Sequence, residues 1–368
     1  MQITAAILWE RGKPMSIEPA ELDPPGPDEV LVEIQAAGVC HSDLHPARDE
    51  WPMRTPIVLG HEGSGIVREV GANVTRVKPG DHIVICWAPA CGVCPACVQG
   101  RAVICDRLDK TTYRNKLPSG ALRLHARGHE LNHFLGTACF ADYAVIAEEA
   151  AVVVDRALPF DALAMLGCSV VTGVGAVMTA AQVPAGAHVA VIGAGGVGLN
   201  VIQGAVLSDA AQIIAIDRHS APLALAQAFG ATDILQAPAD TVDAIRALTA
   251  GRGADFVFDT VGTPATLHDA IAATAKGGTV VLTGLSRIDA LGSVQMFPFV
   301  MQEKRLIGSA YGSGRPTEDI VRLTQWFQDG RLKLRELVTR RYTLNQIDDA
   351  LDALATSAGA RGVITSVK

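Results

Sequence analysis

The densest group of reactive side chains is the stretch "ACGVCPACVQGRAVIC", which places Cys91, Cys94, Cys97 and Cys105 within fifteen residues. Spacing this short lets one loop wrap a single ion. Four soft thiolates then complete a tetrahedron around Zn²⁺ and leave no position for water or substrate. The stretch therefore reads as a closed structural site, with an iron–sulfur cluster as the other group four thiolates could hold. A second set is scattered: Cys40 in "AAGVCHSDLH", His61 in "VLGHEGSG" and Cys168 in "LGCSVVTG". Two cysteines and a histidine make a three-ligand zinc site whose fourth position is open, the arrangement of a working metal. Each of the three alone reads as an ordinary buried thiol or surface imidazole, so the assignment rests on their local signatures. Cys86 and Cys139 have no such context and read as small core residues.

A glycine pattern carries a second chemistry. "HVAVIGAGGVGLNVIQGAVL" reads as a strand, then Gly193, Gly195, Gly196, Val197 and Gly198, then a helix. That order supplies a tight turn, close backbone approach to a pyrophosphate and a helix N-terminus with free N–H groups. "IIAID" ends the next strand at Asp217, nineteen residues after Gly198. A carboxylate there can accept from the ribose hydroxyls of NAD and repel the 2′-phosphate of NADP; the neighbouring Arg218 softens that preference. The other reading is a structural glycine turn beside a surface aspartate.

The elements that position these residues follow from composition and pattern. The 368 residues are about half apolar and 19% charged, enough for two domains with their own cores. A formal net charge of −7, with no basic run interleaved with aromatics, excludes a nucleic-acid backbone binder. Residues Ala162 to Ser208 carry no Asp, Glu, Lys or Arg, which raises a membrane span, but Pro184 and repeated glycines break the run, and buried parallel strands look the same. "MQITAAILWERGKPMSIEP" has charges too early for an export signal, so a cytoplasmic protein with reduced thiols is expected. Before about Leu158, "EVLVEIQAAGVC", "GSGIVREVG" and "HIVIC" are strands of an antiparallel, barrel-like region, and Thr111 to His133 reads as a long loop. Beyond it, "HVAVIG", "QIIAID", "DFVFDTVG" and "GTVVLTGL" alternate with Ala-rich helical stretches, predicting a doubly wound parallel sheet. Helices around "EDIVRLTQWFQDG" and "NQIDDALDAL" and a last strand "RGVITSV" close the chain.

"GVCHSDLH", "GHEGSGIVREVG", the four-cysteine loop, "GC-x3-TG" and "GAGGVGL" occur together and in order, and with them the chain resembles the zinc-dependent alcohol dehydrogenases of the medium-chain dehydrogenase/reductase family over its whole length. The resemblance implies an α/β fold: a GroES-like β-barrel catalytic domain from residues 1–168 and 309–368, with a Rossmann NAD-binding domain, 169–308, inserted between. It implies two zinc ions per chain, a catalytic one on Cys40, His61 and Cys168 and a structural one on the loop cysteines. Asp43 would orient His61, and Glu62 would approach the catalytic zinc during ligand exchange. Ser42, a ribose hydroxyl and His45 would relay the alcohol proton to solvent; for His45 the plain alternative is a solvated loop imidazole. Thr172, the glycine loop, Val261, Thr283 and Leu285 would contact the cofactor, and His41 and Arg361 its phosphates.

Trp87, Phe134 and Leu135 match residues that line the substrate channel, although each could be plain core. Together they suggest a hydrophobic pocket for primary alcohols, aryl, allylic and medium-chain ones among them. Glutathione-dependent formaldehyde dehydrogenases of the family carry an arginine four residues after the last loop cysteine, where this chain has Asp109; S-hydroxymethylglutathione is therefore not expected as substrate. The long 111–133 segment resembles dimeric members, so a homodimer is expected. Two other readings stand beside this one: a nicotinoprotein or aldehyde dismutase that retains its NAD, and a non-enzymatic zinc and nucleotide binder. Some relatives have arginine where this chain has His41, which would hold a pyrophosphate less tightly at neutral pH. Fluorescence titration with NADH should therefore show tighter binding for His41→Arg than for the wild type; equal affinity would contradict this.

Overall fold

The computed structural model describes residues 1–237, 240–356 and 361–365. The chain divides into two compact units, one holding Met1–Cys168, Arg315–Thr356 and the strand Arg361–Thr365, the other Ser169–Gly314. The return to the first unit thus falls at Arg315 rather than at residue 309, because Arg305–Gly308 is the last strand of the second unit's sheet and Tyr311–Ser313 still packs within that unit.

In the first unit, Gln2–Leu8, Ser16–Leu22, Leu124–Ala126, His129–His133 and Ile57–Val58 close into a barrel. A seven-stranded sheet runs Ala151–Val154, His82–Ile85, Glu62–Val70, Glu29–Gly38, Arg361–Thr365, Val338–Tyr342, with Tyr143–Ala147 also paired to Glu29–Gly38. Strand Glu29–Gly38 serves two cores because successive side chains point to opposite faces. Val30, Val32 and Ile34 pack into one with Ile57, Leu59, Ile83, Ile85 and Phe140. Leu31 packs into the other with Ile3, Ile7, Leu22, Val58 and Leu131. Each fully buried aliphatic side chain of this kind contributes roughly 1.5–3 kcal/mol.

Two expectations change here. The barrel region is not purely antiparallel, since Ile57–Val58 runs parallel to Asn132–His133 and Val338–Tyr342 parallel to Arg361–Thr365. The segment 111–133, expected as loop, supplies the hairpin Leu124–Ala126/His129–His133 that closes the barrel. Its strands are short and their polar residues hide the alternation; Leu124 and Leu131 face each other in the register and are fully buried.

The second unit is a six-stranded parallel sheet in the order Asp233–Gln236, Gln212–Asp217, His188–Ile192, Ala254–Asp259, Thr274–Leu282, Arg305–Gly308. Numbered along the chain within the sheet, this is 3-2-1-4-5-6, the Rossmann order, with its switch point between His188–Ile192 and Ala254–Asp259. The charge-free stretch from Ala162 to Ser208 resolves into short buried helices, the strand His188–Ile192 and the helix Gly196–Leu207. Among the described residues no single helix is long and apolar enough to cross a membrane. Cys86 and Cys139 are buried at 0% and 1% exposure, and burial pushes the Cys139 thiol up.

The barrel also buries a histidine. His133 is 0% exposed, its Nε2 accepts from the Arg123 N–H at 3.0 Å, and burial pushes its pKa down to about 4. The unfolded chain takes up this proton near pH 6.5, where the folded chain does not. Falling pH therefore favours unfolding from 6.5 down to about 4, where the folded form is protonated too and the loss levels off. At pH 5 the loss is about 2 kcal/mol relative to pH 7. His133→Gln keeps an acceptor but does not titrate, so its unfolding midpoint should fall less between pH 7 and pH 5 than the wild type's. An equal fall would contradict a neutral buried His133.

Candidate active site

The site in the first unit is built around Asp43, which is 0% exposed. Cys40 is the N-cap of helix His41–Ala47, with extended backbone, and its N–H donates to Asp43 Oδ2 at 3.1 Å. Asp43 Oδ1 accepts from the Gly60 N–H at 3.0 Å and lies 3.1 Å from His61 Nδ1. One carboxylate thus binds the loop bearing Cys40 to the loop bearing His61 and aims the imidazole. Gly60 makes the second loop possible: its φ is +88°, and a Cβ there would come within 2.7 Å of the Phe140 N atom. Phe134, 0% exposed, stands edge-on to the His61 ring with centroids 5.5 Å apart.

One candidate ligand atom from each of Cys40, His61, Glu62 and Cys168 lies within 4.8 Å of the others, and all four residues are buried. The Cys168 hydrogen bond pulls the Cys40 thiol well below its ordinary pKa, against burial and with help from the Arg361 charge. The same bond, with burial, pushes Cys168 well up. Burial works against a charged His61, but the charge and hydrogen bond of Asp43 together hold it well above its usual value. One proton is thus shared between close thiols beside an imidazole that also favours holding one, and metal binding releases such protons. Asp43 engages His61 Nδ1, and Nε2 is buried without a hydrogen-bond partner. Two thiolates and an oriented imidazole nitrogen fit zinc.

Glu62 is ion-paired to Arg361, a residue only 3% exposed, and burial pushes Glu62 up to about 7 while Arg361 opposes the shift. Arg361, expected at the cofactor phosphates, has Glu62 of its own unit as the counter-charge a buried guanidinium requires.

Cys91, Cys94, Cys97 and Cys105 form the second group, again with sulfur atoms within 4.8 Å of one another, and none of the eight cysteines is in a disulfide. The turn is wound by its own backbone, with the Cys91 N–H donating to Cys105 Sγ at 3.3 Å. The N–H groups of Val93 and Cys94 pull the Cys91 thiol down to about 6, and those of Cys97 and Asp106 lower Cys94. Burial pushes Cys97 up to about 12. Four sulfurs on one loop, two of them disposed to thiolate by backbone donors, also fit zinc.

Ser42 and His45 lie on helix His41–Ala47, both half-buried, and His41 is exposed. Trp87 is half-buried with its ring centroid 6.4 Å from that of Tyr113, and Leu135 takes a left-handed φ of +50° with its N–H on Asn115 Oδ1. Tyr113 and Asn115 were not expected to matter, since they sit in the segment read as loop.

The second unit holds the glycine loop. Gly193 has φ +93°, and a Cβ on Gly198 would lie 1.8 Å from the Gly193 carbonyl oxygen, so only glycine lets this helix meet the turn. Gly195 caps helix Gly196–Leu207 without a side-chain bond, leaving the first-turn amides unclaimed by a cap. Val197 is half-buried on that first turn. Asp217 accepts from the Ala194 and His219 N–H groups at 2.9 Å each, so it braces the glycine loop and retains lone pairs for a ribose. Arg218 is exposed. Asp259, which pattern did not single out, accepts from the N–H groups of Val261 and Gly262 at 3.0 and 2.9 Å and orders the opposite lip of the switch point. Thr283 donates to the Asp259 carbonyl at 3.1 Å, Thr172 is buried in helix Ser169–Gly175, and Val261 and Leu285 are exposed.

Comparison with known proteins agrees with this architecture. Residues 26–159 match the alcohol dehydrogenase GroES-like domain family and residues 196–329 the zinc-binding dehydrogenase family. The chain is 40% identical over 368 residues to the NDMA-dependent alcohol dehydrogenase of Amycolatopsis methanolica, covering 99% of both. It is 36% identical over 372 residues to the S-(hydroxymethyl)glutathione dehydrogenase of Saccharomyces cerevisiae, covering 98% of this chain and 96% of that one. The crystal structure of benzyl alcohol dehydrogenase from Acinetobacter calcoaceticus superposes with a TM-score of 0.94 at 30% identity over 100% of both chains. The chain belongs to the zinc-dependent alcohol dehydrogenases of the medium-chain dehydrogenase/reductase family. It is an enzyme of zinc-dependent alcohol oxidoreduction that uses a nicotinamide nucleotide.

If Asp43 orients His61, Asp43→Ala should release zinc from the buried site about 10–100-fold more readily, the usual effect of losing such a support, with the cysteine loop unaffected. Zinc content after graded chelator dialysis reads this; unchanged retention would contradict it.

Proposed function

We propose that the protein interconverts primary alcohols and aldehydes with NAD, through a catalytic zinc on Cys40, His61 and Cys168, while a second zinc on the loop cysteines holds structure. The observation that carries this is the His61 Nε2 atom, buried and without a hydrogen-bond partner in the company of Cys40 and Cys168. When bound, zinc would stabilise negative charge on the alcohol oxygen and the nicotinamide would accept a hydride. The chain's own residues do the rest. Asp43 fixes the ligand imidazole, Ser42 takes the alcohol proton, and His45 passes it towards solvent. Phe134, with Trp87 and Leu135, supplies the apolar surface that favours aryl, allylic and medium-chain substrates. Glu62, paired with Arg361, places a carboxylate beside the ligands, suited to ligand exchange.

His41, Thr172, the glycine loop, Asp217, Val261, Thr283 and Leu285 are assigned to the cofactor. Asp217 supports NAD over NADP by repulsion of a 2′-phosphate. We also read the protein as a cytoplasmic homodimer. Arg305–Gly308 is the sheet's edge strand, and the segment leading to it exposes Leu291 (87%), Met296 (80%) and Phe297 (78%). An unpaired edge beside apolar side chains suits a second copy of the same edge.

Reduction of NAD and NADP by the zinc-loaded enzyme should be followed over aliphatic, allylic and benzylic alcohols. Turnover should require NAD and favour primary alcohols with apolar substituents. NAD that survives gel filtration, with no turnover of free NAD, would overturn the exchange of cofactor assumed here. Cys168→Ser should reduce turnover to background while the thermal midpoint changes little; retained activity would refute the ligand assignment.

A further inference from the structure

His45 lies in the last turn of helix His41–Ala47. Asp49 takes a left-handed φ of +58° and reverses the chain, and the Glu50 N–H donates to the His45 carbonyl at 2.8 Å. The reversal sets a Glu50 carboxylate oxygen 2.6 Å from His45 Nδ1. It also lays Trp51 on the face of the imidazole, with ring centroids 4.6 Å apart and planes 19° from parallel. Trp51 packs in turn against the core that contains Ile57, Leu59 and Phe134. The imidazole is therefore held at its edge by a carboxylate and on its face by an anchored indole, with 11% of the side chain exposed. A carboxylate can only accept, so the Nδ1 atom carries the hydrogen and the lone pair of neutral His45 lies on Nε2.

We propose that Glu50 and Trp51 are positioning residues for the proton path: they lock His45 in the Nδ1–H form, so that Nε2 is the atom that receives the alcohol-derived proton from the Ser42 side and releases it to water. This rests on the relay reading of Ser42 and His45. In the transfer an N–H bond forms at Nε2 as the donor's O–H bond breaks. The imidazolium so formed is stabilised by the Glu50 carboxylate, and loss of the Nε2 proton to solvent restores the starting state without oxidant or reductant. The indole face prevents the ring from turning about its bond and exchanging the two nitrogens.

Two readouts test this in the zinc-loaded enzyme. Long-range ¹H–¹⁵N imidazole spectra, with His45 assigned by its disappearance in His45→Gln, should show the Nδ1–H tautomer in the wild type and lose that preference in Glu50→Leu. In steady state, Glu50→Leu should lower kcat roughly tenfold with KM within about twofold, less than the ~10²–10⁴ expected of a group that transfers the proton itself. Glu50→Gln, whose amide oxygen still accepts from Nδ1–H, should recover part of that loss, and Glu50→Leu should cost nothing further in a His45→Gln background. An unchanged His45 tautomer in Glu50→Leu, or an equal kcat loss in the His45→Gln background, would overturn the proposal. Wild-type turnover in His45→Gln would remove the relay reading and this assignment with it. Impaired His45→Gln beside unimpaired Glu50→Leu would remove the assignment of Glu50 alone.

Discussion

A single buried carboxylate governs the first unit's chemistry. Asp43 has no contact with solvent, and a charge in that position persists only if its lone pairs are answered. They are answered by the Cys40 N–H, the Gly60 N–H and His61 Nδ1. The first starts a helix, the second secures a turn that only glycine can make, and the third points an imidazole nitrogen at two thiols. Ligand geometry is therefore a by-product of satisfying one buried charge. Helix His41–Ala47, begun by that carboxylate, also carries Ser42 and His45, so the proposed proton path and the proposed metal ligands share one origin.

The two sulfur-rich groups set similar candidate ligands in different environments. Around the loop cysteines, backbone N–H groups lower two thiols within a short turn, and one loop brings four sulfurs close enough to hold an ion. Around Cys40 and Cys168 the sulfurs come from distant segments and sit beside a histidine and the Glu62–Arg361 ion pair. That second arrangement has fewer strong ligands and more surrounding charge, which leaves room for chemistry.

Much of this was legible in the residues. The alternation of Val30, Val32 and Ile34 marked a strand and its core face, and the charge-poor segments before Gly193 and Asp217 marked parallel strands. Local spacing separated the four-cysteine loop from the scattered set. The hairpin of Leu124–Ala126 and His129–His133 was not legible, because strands of three and five residues with polar members show no clear period. Its stability comes from closure of the barrel, a long-range property. The pairing of Arg361 with Glu62, three hundred residues apart, has the same cause. Glu50 and Trp51 lay in plain view after the helix, but their meeting with His45 depends on the left-handed turn at Asp49, and a single aspartate does not announce that.

The central claim is that a mixed sulfur and nitrogen site, ordered by Asp43, exists beside an all-sulfur one. X-ray absorption at the zinc edge of the zinc-loaded protein tests it most directly. The account predicts an average first shell of about three sulfurs near 2.3 Å and about one light atom near 2.0–2.1 Å per zinc. A shell of four sulfurs with no light atom would contradict it.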